Sequence, residues 1–255
     1  MFPFILFLPN LHFWSSGIGK DAILFFCVIA FVYALLNLKK RIVLFSICLL
    51  LTILIRPHIT MFLIVSTGIA YLLDGNLKTY QKIFAFVILA GVFGSMFNYV
   101  IQFIQIDNLE LSTIQEFTSS RGADLASDRT GSSVDMSGYP FPLKVFTFLY
   151  RPLFIDGGGV LSLLSSVENL FLLFLTYKVL VNRPLRSFRK GNYVIKTIVI
   201  FFVIGSISFS LILGNLGIML RQKNMFFPIL FLFIFWTLYN NNYNKLYANE
   251  GIASN

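Results

Sequence analysis

The sequence predicts an all-α, polytopic integral membrane protein. Three observations carry that expectation. The chain is 57% hydrophobic and only 12% charged, with a mean hydropathy of +0.79, more apolar surface than a soluble domain of this size can cover. Near-uncharged apolar runs recur along its length, as membrane helices require. The polar material is gathered instead into one long passage, 106–159, which holds seven of the eleven acidic residues.

Met1–Leu8 is apolar but spans only about 12 Å as a helix. It lacks the basic start and small-residue cleavage site of a signal peptide. It reads as the outer end of a truncated helix, so the chain is expected to be the C-terminal part of a longer protein. Pro9–Asp21 mixes polar and aromatic residues and reads as an interfacial segment. Its Gly19-Lys20 is no phosphate-binding P-loop, because Asp21 stands where a Ser or Thr belongs.

Seven candidate spans follow: Ala22–Leu38, Ile42–Ile55, Ile59–Leu73, Ile83–Ile104, Val160–Val181, Thr197–Leu213 and Met225–Tyr239. Together they make one membrane domain over 1–255. It comprises an outer segment (1–21), four helices (22–104), a loop outside the cytoplasm (105–159), three helices (160–239) and a cytoplasmic tail (240–255). The second and third spans, of 14 and 15 residues, flank Arg56-Pro57-His58. The residue before a proline avoids the helical region and proline suits a first helical turn, so Arg56-Pro57 reads as a turn between helices. A broken, partly re-entrant pair is the alternative.

The positive charge sets the orientation. With 106–159 outside, the opposite side collects twelve basic residues against two acidic ones, while the loop side holds eight against nine. The basic side is then cytoplasmic, which places the N-terminus outside and the C-terminus inside. That distribution also explains the net charge of +9 without nucleic acid. Cys27 and Cys48 both lie inside apolar runs, which argues against a disulfide framework, and no metal-ligand spacing occurs. The 30 Phe residues read as lipid-facing bulk.

The outer face gathers His12, Lys20, Asp21, Arg56, His58, Arg151, Glu168, Arg221 and Lys223. Glu168 lies about 12 Å inside its span by helix rise, a costly depth that calls for a partner or a wet cavity. Ser162, Ser165, Ser166 and Asn169 share a helical face that Glu168 borders. Gly91, Gly94, Asn98 and Gln102 form a second stripe. Both stripes read either as helix-packing glue or as a polar cavity opening outward. Arg56, Arg151 and Arg221 each sit beside a helix start or a proline, and guanidinium matches phosphate geometry in a way that ammonium does not. Lipid headgroups or loop carboxylates are their alternative partners. The loop acids Asp124, Asp128, Asp135 and Asp156 read as solvated groups or as ligands for a divalent ion or sugar hydroxyls, and Gly157-Gly158-Gly159 as a flexible joint.

Four blocks carry a resemblance: Pro9-Asn10-Leu11-His12-Phe13-Trp14 running into Gly19-Lys20-Asp21; Ile55-Arg56-Pro57-His58; Tyr150-Arg151-Pro152-Leu153 followed by Glu168-Asn169; and Gly214-Asn215-Leu216-Gly217 leading to Arg221-Gln222-Lys223 and Pro228. In order and outward placement they resemble the Wzy-type polymerases of O-antigen and capsule repeat units. Through them the chain is similar to helical-membrane (GT-C-like) glycosyltransferases. The resemblance implies transfer of a sugar chain from undecaprenyl pyrophosphate to a lipid-linked repeat unit, outside the bacterial cytoplasmic membrane. Membrane lipids and a chain-length regulator would be further partners. It implies Arg56, Arg151 and Arg221 on the pyrophosphate, Glu168, His12 or His58 in the acid–base role, and no metal, cofactor or nucleotide. An O-antigen ligase, or a transporter of lipid-linked oligosaccharide, is the alternative.

Overall fold

A computed structural model describes residues 8–17, 19–74, 78–104, 132–136, 138–156 and 159–249, without the side chains of 15, 85, 88, 96–104 and 242–249. Asp124, Asp128, Gly157 and Gly158 fall outside that description, as do the side chains of Asn98 and Gln102 and most of the polar loop. Among the described residues the chain is all-helical, with a lone antiparallel bridge between Ser133 and Asn215. The helices, in order, are α1 (Pro9–Ser15), α2 (Lys20–Leu35), α3 (Ile42–Ile55), α4 (Pro57–Leu72), α5 (Thr79–Ile104), α6 (Phe141–Tyr150), α7 (Val160–Val181), α8 (Pro184–Lys190), α9 (Tyr193–Ile212), α10 (Leu216–Lys223) and α11 (Phe227–Asn249).

By length and composition, α7 and α9 can each cross a membrane. The pair α10–α11, bent by 56°, adds a third crossing if it counts as one span. Such helices fit a membrane-embedded protein, and α7 presents an apolar face to the outside through Leu163, Val167, Leu170 and Phe174. The helices α3 and α4 have 14 and 16 residues, short of the roughly 20 that cross a hydrocarbon core unaided.

The turn between them is as the sequence predicts: Arg56 leaves the helical region (φ −148°, ψ 89°), and Pro57 opens α4. Proline also opens α1 and α8 and lies in the first turn of α6. Its missing N–H costs nothing in that turn. The helix α6 lies within the passage predicted as a loop. Its apolar run, Phe141–Tyr150, begins directly after Tyr139-Pro140.

The core is centred on α9, which packs most extensively against α4 and also meets α6 and α11. Small residues on α9 allow this. A Cβ on Gly205 would lie 2.1 Å from Cε1 of Phe226. Phe226 closes an aromatic cluster with Phe148, Phe201 and Phe209, at centroid distances of 5.2–6.3 Å. Phe31, Phe227 and Phe231 are likewise buried. The Phe content is therefore split between core and periphery and is not lipid-facing bulk alone. The stripe on α5 also differs from expectation, since Gly91 and Gly94 are exposed.

The two ends of the bundle differ. At one end, Lys196 Nζ donates to Leu73 O (3.2 Å), Tyr193 OH donates to Leu35 O, and Trp236 Nε1 donates to Ser187 O (2.9 Å). The other end holds α1, α10, the α3–α4 turn and the start of α2. The polar residues singled out from the sequence converge there.

Candidate functional site

The first turn of α2 supplies Asp21, a helix N-terminus where a carboxylate is electrostatically favoured. Its Oδ1 accepts from Arg56 Nη2 at 3.1 Å, and its Oδ2 accepts from Arg221 Nε. Arg56 also donates through Nη1 to Gln222 Oε1. The side chain of Arg221 is 40% exposed, and its guanidinium lies 5.6 Å from the Trp14 ring centroid, within cation–π reach. One carboxylate thus serves two guanidiniums. Burial pulls the Arg56 guanidinium down from its usual value, Asp21 opposes that shift, and Arg221 adds to it. Among the described residues the two guanidiniums share one carboxylate, a balance that attracts a further anion.

Beneath this pair lies a buried polar layer. The broken helix α10–α11 turns Lys223 inward, where it is 0% exposed. Its Nζ donates to Arg151 O at 2.6 Å and to Asn169 Oδ1 at 3.3 Å, and it attracts the Glu168 carboxylate. Glu168 Oε2 accepts from Asn10 N at 3.0 Å, while Oε1 is buried without a hydrogen-bond partner among the described residues. Asn10 Nδ2 donates to Leu220 O and Asn224 Oδ1, both at 2.9 Å. Asn169 Nδ2 donates to Pro152 O at 2.8 Å. This layer fastens α1, α7, the α6 terminus and the helix break to one another.

Between α1, α7 and α10 opens a cleft of about 430 Å³, lined by Phe13, Trp14, Ser162, Ser165, Pro152 and Leu220 among others. Ser162 and Ser165 face this cleft, as the outward-cavity reading of α7 expects, whereas Ser166, Glu168 and Asn169 are buried. Trp14 belongs both to the cleft wall and to the surroundings of Arg221.

The six residues predicted for the site have different surroundings. Arg56 and Arg221 come together. Arg151 is instead closed on Asp156, its Nε 3.0 Å from both carboxylate oxygens, with Tyr139 OH at 3.5 Å. Burial alone would raise the Asp156 carboxyl, but the hydrogen bonds from Arg151 and from Leu153 N hold it below the ordinary carboxylate range. Of the predicted acid–base residues, Glu168 is buried. His58 is half-buried, with its ring 6.1 Å from that of Phe62 and 5.9 Å from that of Phe209. His12 is exposed on α1. Among the described residues, no three of His, Cys, Asp or Glu converge as a metal site.

The chain matches no known protein family, curated protein or solved structure. The functional reading therefore rests on the site itself. Sequence reasoning assigned no role to Asp21, Gln222, Asn10 or Asn224. A lone carboxylate opening an apolar helix was the available signal for Asp21, and the Arg-Gln-Lys run before a second apolar helix was the signal for the break.

Proposed function

We propose that the protein polymerises oligosaccharide repeat units carried on undecaprenyl pyrophosphate, at the outer face of the bacterial cytoplasmic membrane. The observation that carries this reading is the pairing of Arg56 and Arg221, brought from distant segments onto one carboxylate, with Arg221 near Trp14, which also lines the cleft. Guanidiniums paired in this way suit the charge that develops on a departing pyrophosphate. The acceptor hydroxyl attacks the anomeric carbon of the donor chain, and the bond from that carbon to the pyrophosphate oxygen breaks. The hydroxyl proton passes to a general base, and undecaprenyl pyrophosphate leaves against Arg56 and Arg221.

His12 takes the acceptor proton in this scheme, because it alone of the three acid–base candidates is exposed. Glu168 and Lys223 hold α1 and the helix break in place, and Arg151 braces the loop through Asp156. In the membrane the chain has seven spans, with its N-terminus outside and its C-terminus in the cytoplasm. The basic residues around 183–196 at the opposite end of the bundle support that orientation.

The test is the surface glycan ladder in cells lacking the gene, complemented with wild type, Arg56→Gln, Arg221→Gln or His12→Ala. The proposal expects loss of the ladder with single repeats still delivered to the surface, restored by wild type and by none of the variants at equal protein level. An unchanged ladder in the deletion strain would sink it. Loss of all surface glycan with trapped lipid-linked units would move the reading to export or ligation.

A further inference from the structure

The reaction proposed above leaves Asp21 without a task, yet it is the residue on which both arginines close. It comes from the first turn of α2, whereas Arg56 comes from the α3–α4 turn and Arg221 from α10. The contacts bridge 35 and 200 residues of sequence. Each carboxylate oxygen takes one guanidinium, so the spacing of the two cations is set by one carboxylate's width. Gln222 fixes the second edge of Arg56 from the same helix that carries Arg221. Among the described residues, two cations on one anion leave a net positive charge, and Lys20, which precedes Asp21 in the chain, is exposed.

We infer that Asp21 is a positioning residue that sets Arg56 and Arg221 as a two-guanidinium clamp for a phosphate-class anion. This rests on the pyrophosphate reading above. A carboxylate that merely competed with the incoming anion would have the opposite effect, because its removal would strengthen binding. The sign of the change therefore decides between the two roles.

The experiment uses the full chain in detergent with Trp236→Phe, which leaves Trp14 as the sole indole of the two in the sequence. Inorganic pyrophosphate is titrated while Trp14 fluorescence is read. The wild-type background saturates. Asp21→Asn weakens binding about tenfold, the size expected for a lost charge-assisted hydrogen bond, and Asp21→Glu recovers part of it. In an Arg221→Gln background Asp21→Asn has no further effect, a coupling that general destabilisation does not produce.

Equal or tighter binding by Asp21→Asn overturns the inference and leaves the pyrophosphate reading standing. No saturable response in the wild-type background removes both. If Asp21→Asn fails to fold, the charge-preserving Asp21→Glu decides: weaker binding supports the clamp, and unchanged binding overturns it.

Discussion

At the residue scale, burial and pairing separate groups that look alike in sequence. Arg56, Arg151 and Arg221 all stand beside helix ends, yet Arg151 is held by a carboxylate five residues away while the other two share one. The depressed Asp156 carboxyl gives this clamp a pH signature. A group whose folded pKa lies below its unfolded value contributes stability above the unfolded value, and loses it as pH falls through the folded one. Thermal melts in detergent are therefore expected to show wild type losing stability as pH falls below the ordinary value of 3.8, with Asp156→Asn lacking that component. At neutral pH the variant melts lower at once. The buried layer makes a second prediction. Lys223→Ala leaves Arg151 O and Asn169 Oδ1 without their buried donor and costs about 1–3 kcal/mol, whereas combining it with Asn169→Leu recovers part of that loss. Urea or thermal unfolding of the single and double variants measures it.

At the scale of elements, the decisive features are two helix interruptions. The first, Arg56-Pro57, is legible in sequence because proline has a local steric rule. The second, between α10 and α11, has Asn224, Met225 and Phe226 at the bend and turns Lys223 inward, and its sign in the sequence is the polar Arg221-Gln222-Lys223 run before an apolar helix. Asn215 begins α10, with its side chain accepting from Gly217 N at 2.9 Å and Ile218 N at 3.2 Å. It also accepts from Ser132 Oγ at 3.1 Å, which ties the loop before α6 to this helix. Asn215→Ala is expected to cost about 1 kcal/mol through the lost cap, read by thermal melting. Gly205→Ala tests the α9–α11 approach. Its methyl meets the Phe226 ring, and overpacking of this kind costs about 1–3 kcal/mol.

At the scale of the whole molecule, charge and hydropathy divide the bundle into a basic end and an end carrying the arginine pair. That division leads to a topology experiment. With Cys27 and Cys48 replaced, Gly138→Cys should react with an impermeant thiol reagent from outside intact cells, and Arg186→Cys only after permeabilisation. A Cβ at Gly138 meets nothing within 4 Å, so that probe does not disturb packing. The reverse labelling pattern would invert the proposed orientation and place the candidate site in the cytoplasm.

The sequence by itself determined the helical class, the ends of α3 and α7, the turn at Arg56-Pro57 and the gathering of polar groups near helix termini. Hydropathy, proline sterics and charge counts act over a few residues, so they can be read from the chain alone. Only the tertiary structure decided which of those polar groups meet. Asp21, Arg56 and Arg221 lie on α2, the α3–α4 turn and α10, which nothing local relates, and a carboxylate's choice of partner is made by packing across the bundle. The burial of Glu168 beneath α1 and the inward turn of Lys223 were settled in the same way, because burying polar and charged groups is tolerated only where other segments supply partners.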